Sequence, residues 1–402
     1  MAVQDLLASP AFQMSVLLFV ALGGYLIAYR INQSAVVGII LAGVLVGPSL
    51  LGLVTYTDFV SSLATLGAIV LLFTIGLEFE VKEIAKIKYL IIALLGVIVP
   101  WLGGYFLSKA FGYDFKAAVF IGTALTATSI AVTANVLKEM GKLQTDAAKA
   151  IIGAAVVDDI LALMVLSLSE SIVSGSIAFL PIFITTMKAI AFIGVGIVVG
   201  KTLLNRLLVG FEKSRLADKY PESIFIFTMM LAFLYSIAAE LVGLSAIVGA
   251  FLAGASFAGI HLKRPGVFKQ GAEHLQIIFA SIFFISLGVI MDLHVITASL
   301  LWFVAALTAV AMITKIIGCG GAAKMLGSSL RESLIVGVGM VPRGEVAMIV
   351  ALIGLNQQLI SQSTYSALIL MALLTTIIPP IILRNWLFKG RREKTAQEVT
   401  PS

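Results

Sequence analysis

The stretch IIGAAVVDDILALMVLSL, residues 151–168, places two adjacent aspartates, Asp158 and Asp159, at the middle of an otherwise uncharged run. At about 1.5 Å per residue, a helix of this length is about 27 Å long, close to the ~30 Å hydrocarbon core of a bilayer. A charge near the bilayer centre costs roughly 2.5 kcal/mol or more, so charged residues there are expected to have a function. The stretch therefore predicts a membrane-spanning helix with two functional carboxyl groups halfway along it.

The rest of the chain has the composition of a membrane protein. Of its 402 residues, 60% are hydrophobic and 12% are charged, whereas soluble domains are about half apolar and a quarter charged. This composition excludes a soluble enzyme and a disordered chain. The apolar runs are continuous over about 20 residues and do not alternate with polar residues, which favours helices over a β-barrel. We predict an all-α polytopic membrane protein.

Charged or Gly/Pro-rich breaks divide the chain into about 13 predicted transmembrane spans. Their approximate limits are 12–30, 35–54, 60–77, 88–109, 117–137, 147–173, 188–209, 221–240, 243–260, 273–290, 297–324, 331–355 and 362–387. With the N-terminus outside, 22 of the 27 Lys and Arg residues lie on the inner side, 3 lie on the outer side and 2 lie within spans. This asymmetry is the positive-inside pattern. It predicts a multi-pass protein of the cytoplasmic membrane with a cytoplasmic C-terminus.

Two predicted spans contain helix-breaking sequence at membrane depth. The fifth has GTALTATS at 122–129, and the twelfth has GVGMVPRGE at 337–345. A looser pair is AGVLVGP at 42–48 and VGAFLAG at 248–254, whose glycines could instead serve close helix packing. The members of each pair are seven spans apart and so run in opposite directions. The pattern predicts an inverted repeat of six spans, one linking span and six spans, which is typical of transporters with their site at broken helices.

Five charged residues are predicted to lie within the membrane. They are Asp158, Asp159, Lys315, Arg343 and Glu345. Three carboxylates against two bases leave one negative charge without a partner. Desolvation favours the neutral form of an isolated buried carboxyl group, so a proton or a monovalent cation is expected to neutralise it. A site where the two compete has the chemistry of cation/proton exchange.

Helix geometry separates the roles of the two aspartates. Because neighbouring residues on a helix point about 100° apart, Asp158 and Asp159 cannot face one partner equally. One can pair with Lys315 while the other faces a water-filled cavity. Thr128 and Ser129 add neutral oxygens, which suit an alkali cation that needs several oxygen ligands. A purely structural Asp–Lys pair is the alternative interpretation.

Three further residues are predicted to support the broken helices. They are Thr126, Arg343 and Glu345. The two charged ones could neutralise helix ends or each other, and a structural role is the favoured interpretation for this pair.

Five further motifs occur along the chain, namely AGVLVGP at 42–48, FTIGLE at 73–78, TATS at 126–129, VVDDI at 156–160 and VPRGEVA at 341–347. Together they resemble the motifs of the monovalent cation:proton antiporter-2 family, with the nearest likeness to bacterial NapA-type sodium/proton antiporters. The likeness extends from about Arg30 to Arg384.

The resemblance implies a homodimer with an NhaA/NapA-like inverted-repeat fold, one membrane domain over 1–402 and an elevator-like movement. The implied parts are a dimerisation scaffold at 12–77 and 221–290, an ion-transporting core at 88–173 and 297–387, a linking helix at 188–209 and a cytoplasmic tail at 388–402. The resemblance makes Asp159 the main ion ligand and pairs Asp158 with Lys315. It places Thr128 and Ser129 beside the crossing point. The Asp-Asp pair with this lysine is similar to the electrogenic branch.

We therefore expect a secondary antiporter, not an enzyme, that exchanges Na+, or else Li+ or K+, for protons without a cofactor. The expected cation ligands are Asp159, Asp158 and Thr128. A potassium/proton antiporter of the same family and a sodium-coupled symporter of an organic anion remain alternatives. The expected partners are a second copy and membrane lipids, with no nucleic acid and no nucleotide-binding regulatory domain in the chain. An intramembrane aspartyl protease would need its two aspartates on different helices, able to share a proton. Asp158 and Asp159 are adjacent on one predicted helix, which argues against such a protease.

Overall fold

The computed structural model describes residues 9–79, 82, 86–174, 179–258, 265–291, 294 and 298–388, and its regular structure is helical. The predicted tail beyond residue 388 lies outside the described residues. We number the helices in chain order. They are α1 Pro10–Arg30, α2 Ala35–Val46, α3 Asp58–Gly76, α4 Ile87–Ala110, α5 Phe115–Ala124, α6 Ile130–Glu139, α7 Asp146–Ser174, α8 Phe179–Val199, α9 Asn205–Glu212, α10 Arg215–Lys219, α11 Glu222–Leu241, α12 Ala246–Phe257, α13 Pro265–Val289, α14 Ala298–Lys315, α15 Gly321–Met325, α16 Leu330–Gly339, α17 Glu345–Asn356 and α18 Gln362–Ile382. Short π-helical turns follow α8, α14 and α18.

Within the described ranges, nine helical segments are long and apolar enough to cross a membrane. The all-α polytopic fold predicted from composition is therefore confirmed. Four further apolar helices are short, namely α2, α5, α12 and α17. A helix of 12 residues, such as α2 or α12, extends only about 18 Å. These short helices overlap the four Gly-rich motifs of the predicted repeat, of which those at 122–129 and 337–345 were predicted to break their helices.

Polar caps fix where several helices begin. Asp114 accepts a hydrogen bond from the amide of Ala117 at 2.7 Å and starts α5. Ser329 and Glu332 form a reciprocal capping box at the start of α16. Such caps satisfy amide groups that the first turn of a helix leaves without acceptors. They locate the helix starts that border the two interrupted spans.

Close glycine contacts join α2, α3, α12 and α13. A Cβ atom on Gly254 of α12 would overlap the carbonyl oxygen of Phe73 in α3, and one on Gly43 of α2 would overlap that of Ile285 in α13. The glycines of the looser motif pair thus serve close packing, which was the alternative interpretation of those motifs. Helices α1 and α11 pack onto the same group, whereas α4, α5, α7, α14, α17 and α18 pack mainly on one another.

A carboxylate links the two groups of helices at one end of the molecule. Glu139, the last residue of α6, accepts hydrogen bonds from Ser34 Oγ at 2.6 Å and from the Ala35 amide at 3.1 Å. Both donors lie at the start of α2. Glu139 therefore caps α2 from α6, a helix that packs on α2 and α3 as well as on α7 and α18.

Candidate functional site

Two broken helices meet inside the molecule. Helix α5 ends at Ala124 and α6 begins at Ile130, while α16 ends at Gly339 and α17 begins at Glu345. The amide of Ser129 donates a hydrogen bond to the carbonyl oxygen of Pro342 at 2.7 Å, which joins the two breaks directly. Non-helical backbone at membrane depth is tolerated where protein surrounds it, and each break provides partners for the other.

Threonine side chains satisfy carbonyl oxygens that the breaks leave free. Thr128 Oγ1 donates to Met340 O at 3.3 Å, and Thr133 Oγ1 donates to Gly339 O at 2.6 Å. Thr126 Oγ1 donates within its own segment, to Thr123 O at 2.8 Å. The threonines therefore stabilise the crossing, and Thr128 also remains partly exposed.

Arg343 lies fully buried at the crossing. Its guanidinium group donates to Leu125 O at 2.6 Å, to Val341 O at 3.0 Å and to Ala311 O at 3.4 Å. Leu125 follows the last residue of α5, where the helix dipole is negative. Of the two options that the sequence left for Arg343, the structure favours neutralisation of a helix end over pairing with Glu345.

Lys315 lies at the end of α14 and is fully buried. Its ammonium group donates to Asp158 Oδ1 at 3.0 Å, to Gly96 O at 2.8 Å and to Thr126 O at 2.7 Å. The lysine ammonium group has three N–H hydrogens, and the three acceptors match them in number. The π-helical turn Ile316–Gly320 follows at once, a distortion often found at functional sites.

The two aspartates of α7 have different surroundings. Asp158 is 1% exposed and forms an ion pair with Lys315. Asp159 is partly exposed, and its Oδ2 accepts a hydrogen bond from the Ser245 amide at 3.3 Å. No basic side chain contacts Asp159 among the residues that the structure describes. The separation expected from helix geometry is present: one aspartate is paired and the other is not.

Three buried oxygen atoms near the crossing have no hydrogen-bond partner within the described part of the chain. They are Ser129 Oγ, Asp158 Oδ2 and Glu345 Oε2. Ser129 Oγ lies so near the break that a Cβ atom on Gly344 would be 2.8 Å from it. Buried polar atoms are almost always satisfied, so bare oxygens need an explanation. Oxygen atoms without a donor suit an alkali cation.

Two contacts at the site carried no sequence signal. The Gly96 carbonyl and the Ser245 amide are backbone groups, and both belong to segments far from residues 151–168 in the sequence. The structure shows why residue 96 is a glycine, since a Cβ atom there would overlap Cys319 Sγ beside Lys315. The predicted residues Asp158, Lys315, Thr126, Thr128, Ser129 and Arg343 all contact the crossing or one another.

The chain is similar to known proteins over nearly its whole length. The family profile described as "Sodium/hydrogen exchanger, transmembrane" matches residues 16–389. The Na+/H+-K+ antiporter GerN of Bacillus cereus is 33% identical over 371 residues, which cover 92% of this chain and 94% of GerN. The Na+/H+ antiporter of Enterococcus hirae is 34% identical over 362 residues, which cover 89% of this chain and 93% of that protein. The sodium proton antiporter MjNhaP1 of Methanocaldococcus jannaschii shares the fold, with a TM-score of 0.70 over 98% of this chain and 100% of MjNhaP1 at 15% identity.

Proposed function

Because the chain belongs to the transmembrane sodium/hydrogen exchanger family, we propose that Asp159 is the residue at which a monovalent cation and protons compete during exchange. A member of this family is a secondary transporter and not an enzyme. One observation supports the assignment above all. Asp159 is a partly exposed carboxylate that no basic side chain of the described ranges contacts, and it lies directly beside a buried Asp158–Lys315 ion pair.

The cargo that we propose is Na+, exchanged for protons without a cofactor. Na+ appears in the printed names of the relatives from Bacillus cereus and Enterococcus hirae. K+ is the second candidate, since the name of GerN includes it. Asp159, Asp158 and Thr128 would ligate the cation, and the bare oxygens of Ser129 and Glu345 lie at the crossing beside them.

The topology that we propose has 13 spans in an inverted repeat. The nine long helical segments and the four short apolar helices of the described residues support this number. The similar lengths of α2 and α12, and the matching interruptions α5/α6 and α16/α17, support the repeat. The distribution of Lys and Arg supports a cytoplasmic membrane location with the N-terminus outside.

The movement that we propose is of the elevator type, in a homodimer. The predicted core, 88–173 and 297–387, would move against the predicted scaffold, 12–77 and 221–290. The packing of α4, α5, α7, α14, α17 and α18 mainly on one another supports this division. The likeness of the Asp158–Asp159 pair and Lys315 to the electrogenic branch supports electrogenic exchange, which requires more than one proton to move for each cation.

Transport measurements on the purified protein in proteoliposomes test the proposed exchange. Addition of Na+ to vesicles with an imposed pH gradient should dissipate the gradient, and K+ and Li+ should be compared at several pH values. Asp159→Asn should abolish the response, whereas Asp218→Asn, a change in the short helix α10, should preserve it. Undiminished exchange by Asp159→Asn would refute the site assignment, and wild-type protein that moves no protons would refute the function.

A further inference from the structure

We propose that the amide of Ser245 holds Asp159 whenever no cargo ion is bound, and that this contact keeps the empty transporter from changing its orientation. The inference rests on the proposed exchange at Asp159. Ser245 is thus a positioning residue that acts through its backbone.

The amide of Ser245 is free to bind Asp159 because of how α12 begins. Helix α11 ends at Leu241, Gly243 turns the chain with φ +91°, and Ser245 is the N-cap of α12. The Ser245 side chain accepts a hydrogen bond from the Ile247 amide at 3.2 Å, so the serine caps its own helix. Its amide lies outside the helix and donates to Asp159 Oδ2 at 3.3 Å. The positive end of the helix dipole adds to this attraction for a carboxylate.

The donor belongs to a helix that its neighbours hold in place. A Cβ atom on Gly254 would overlap the Phe73 carbonyl of α3, and one on Gly249 would overlap the Tyr235 carbonyl of α11. Helix α12 therefore lies in close backbone contact on two sides. The hydrogen bond consequently joins α7, on which Asp159 lies, to the group formed by α3, α11 and α12.

The surroundings of the contact are apolar on one side. Leu244, next to the donor, is 3% exposed and forms a small cluster with Ala189 and Ala239. Ile160 and Leu163 of α7 pack against this cluster. Hydrogen bonds to a charged group are stronger where water is scarce. A charged Asp159 is thus held firmly, and a carboxylate whose charge is balanced by bound cargo is held weakly.

Coupled exchange requires such a restraint. If the empty protein can change its orientation, cargo leaks down its own gradient without counter-movement of the other ion. A carboxylate bound to α12 prevents that step. A cargo ion on Asp159 offsets its negative charge, weakens the hydrogen bond and lets α7 move.

Ser245→Pro removes the donor at a position whose own φ angle suits proline. The φ angle of Ser245 is −62°, which a proline ring adopts. Ser245→Ala is the matched control, because it removes the same hydroxyl group and keeps the amide. The experiment uses vesicles that are loaded with labelled Na+ and held at zero membrane potential. The amount of Na+ released and the amount of protons taken up are measured together. We expect Ser245→Pro to raise the ratio of Na+ released to protons taken up about tenfold over Ser245→Ala.

A second pair of variants covers the case in which the proline variant does not fold. Aspartate and asparagine are both good N-caps, so Ser245→Asp and Ser245→Asn should both preserve α12. Only the aspartate repels Asp159, and only it should uncouple the two ions. Wild-type protein that exchanges Na+ for protons, together with Pro and Asp variants as tightly coupled as their controls, would overturn this inference and leave the proposed function intact. Wild-type protein without any exchange would overturn both.

Discussion

At the scale of single residues, the site separates two neighbouring carboxylates by their partners. Asp158 is buried against Lys315, whose other two donors bind backbone carbonyls. Asp159, one position further along α7, accepts a hydrogen bond from a backbone amide and contacts no basic side chain in the part of the chain that the structure describes. Helix geometry and one lysine therefore give two neighbouring aspartates different electrostatic surroundings.

Lys315→Gln should destabilise the protein. The change leaves Asp158 buried without a counter-charge, and breaking a buried ion pair in this way costs roughly 3–5 kcal/mol. The unfolding temperature in detergent should fall clearly, and the pH optimum and the transport current should change more than the apparent affinity for Na+.

A double substitution tests this reason for the loss. Lys315→Gln combined with Asp158→Asn removes both charges and should recover much of the lost stability. Lys324→Gln, at an exposed position, serves as the control. A double variant no more stable than Lys315→Gln alone would show that the lysine stabilises by another route.

Arg343→Lys should lower transport although it keeps the positive charge. An ammonium group is a point donor, whereas the guanidinium group spans Leu125 O, Val341 O and Ala311 O. We expect about a tenfold loss in exchange rate, from one weakened charged hydrogen bond. The measurement is the initial rate of Na+-dependent proton movement at equal protein content. Equal rates for Arg343→Lys and wild type would show that transport does not depend on the guanidinium group stabilising the break between α5 and α6.

At the scale of helices, the interruptions and the glycine contacts determine the site. Helices α5 and α16 end where Lys315, Arg343 and Thr128 donate to the carbonyl groups of Thr126, Leu125 and Met340, which follow the two helices. Gly96 of α4 lets the chain approach α14 at Lys315, because it lacks a side chain. Packing between helices therefore fixes the ion pair.

Gly96→Ala should reduce both folding yield and transport. Its new methyl group would overlap Cys319 Sγ, in the turn that follows Lys315. Cys319→Ala removes that sulfur, so the double variant Gly96→Ala/Cys319→Ala should recover part of the yield. Fluorescence-detected size-exclusion profiles give the measurement, and Gly194→Ala, where no atom lies within 4 Å of the added methyl group, is the control. Additive losses in the double variant would show that the overlap with Cys319 is not the cause.

The sequence alone predicted the features that depend on the composition and spacing of neighbouring residues. Continuous apolar runs predicted the helices, and the segments around Thr128 and Pro342 predicted the two breaks. The Asp158–Lys315 pair followed from charge at membrane depth together with the family resemblance. The partner of Arg343 did not follow, since it is a carbonyl oxygen 218 positions away. Backbone donors such as the Ser245 amide carry no mark in a sequence, because every residue other than proline has one.

At the scale of the whole molecule, the two groups of helices touch through polar groups as well as apolar ones. Asp159 contacts the start of α12, and Glu139 contacts the start of α2. In both cases a carboxylate binds the amide end of a short helix that packs on α3 or α13. These helices, α2 and α12, carry the looser pair of predicted repeat motifs.

Glu139→Gln should lower thermal stability without changing the apparent affinity for Na+. The substitution keeps the shape of the side chain but weakens the charged hydrogen bonds from Ser34 and Ala35. Because Glu139 is itself exposed, solvent screening limits the loss to about 1 kcal/mol. The unfolding temperature should fall, while the Na+ concentration for half-maximal exchange stays constant. Glu240→Gln, at an exposed position, is the control. A shifted Na+ dependence with unchanged stability would place Glu139 in the ion path instead.

The crossing of the broken helices has a consequence for biogenesis. The Ser129 amide finds its acceptor on Pro342, and the Arg343 guanidinium group finds one on Leu125. Neither interrupted segment can therefore satisfy all of its own exposed peptide groups during membrane insertion. The first break stays incomplete until the second has been synthesised, so most of the chain must be made before the crossing can form.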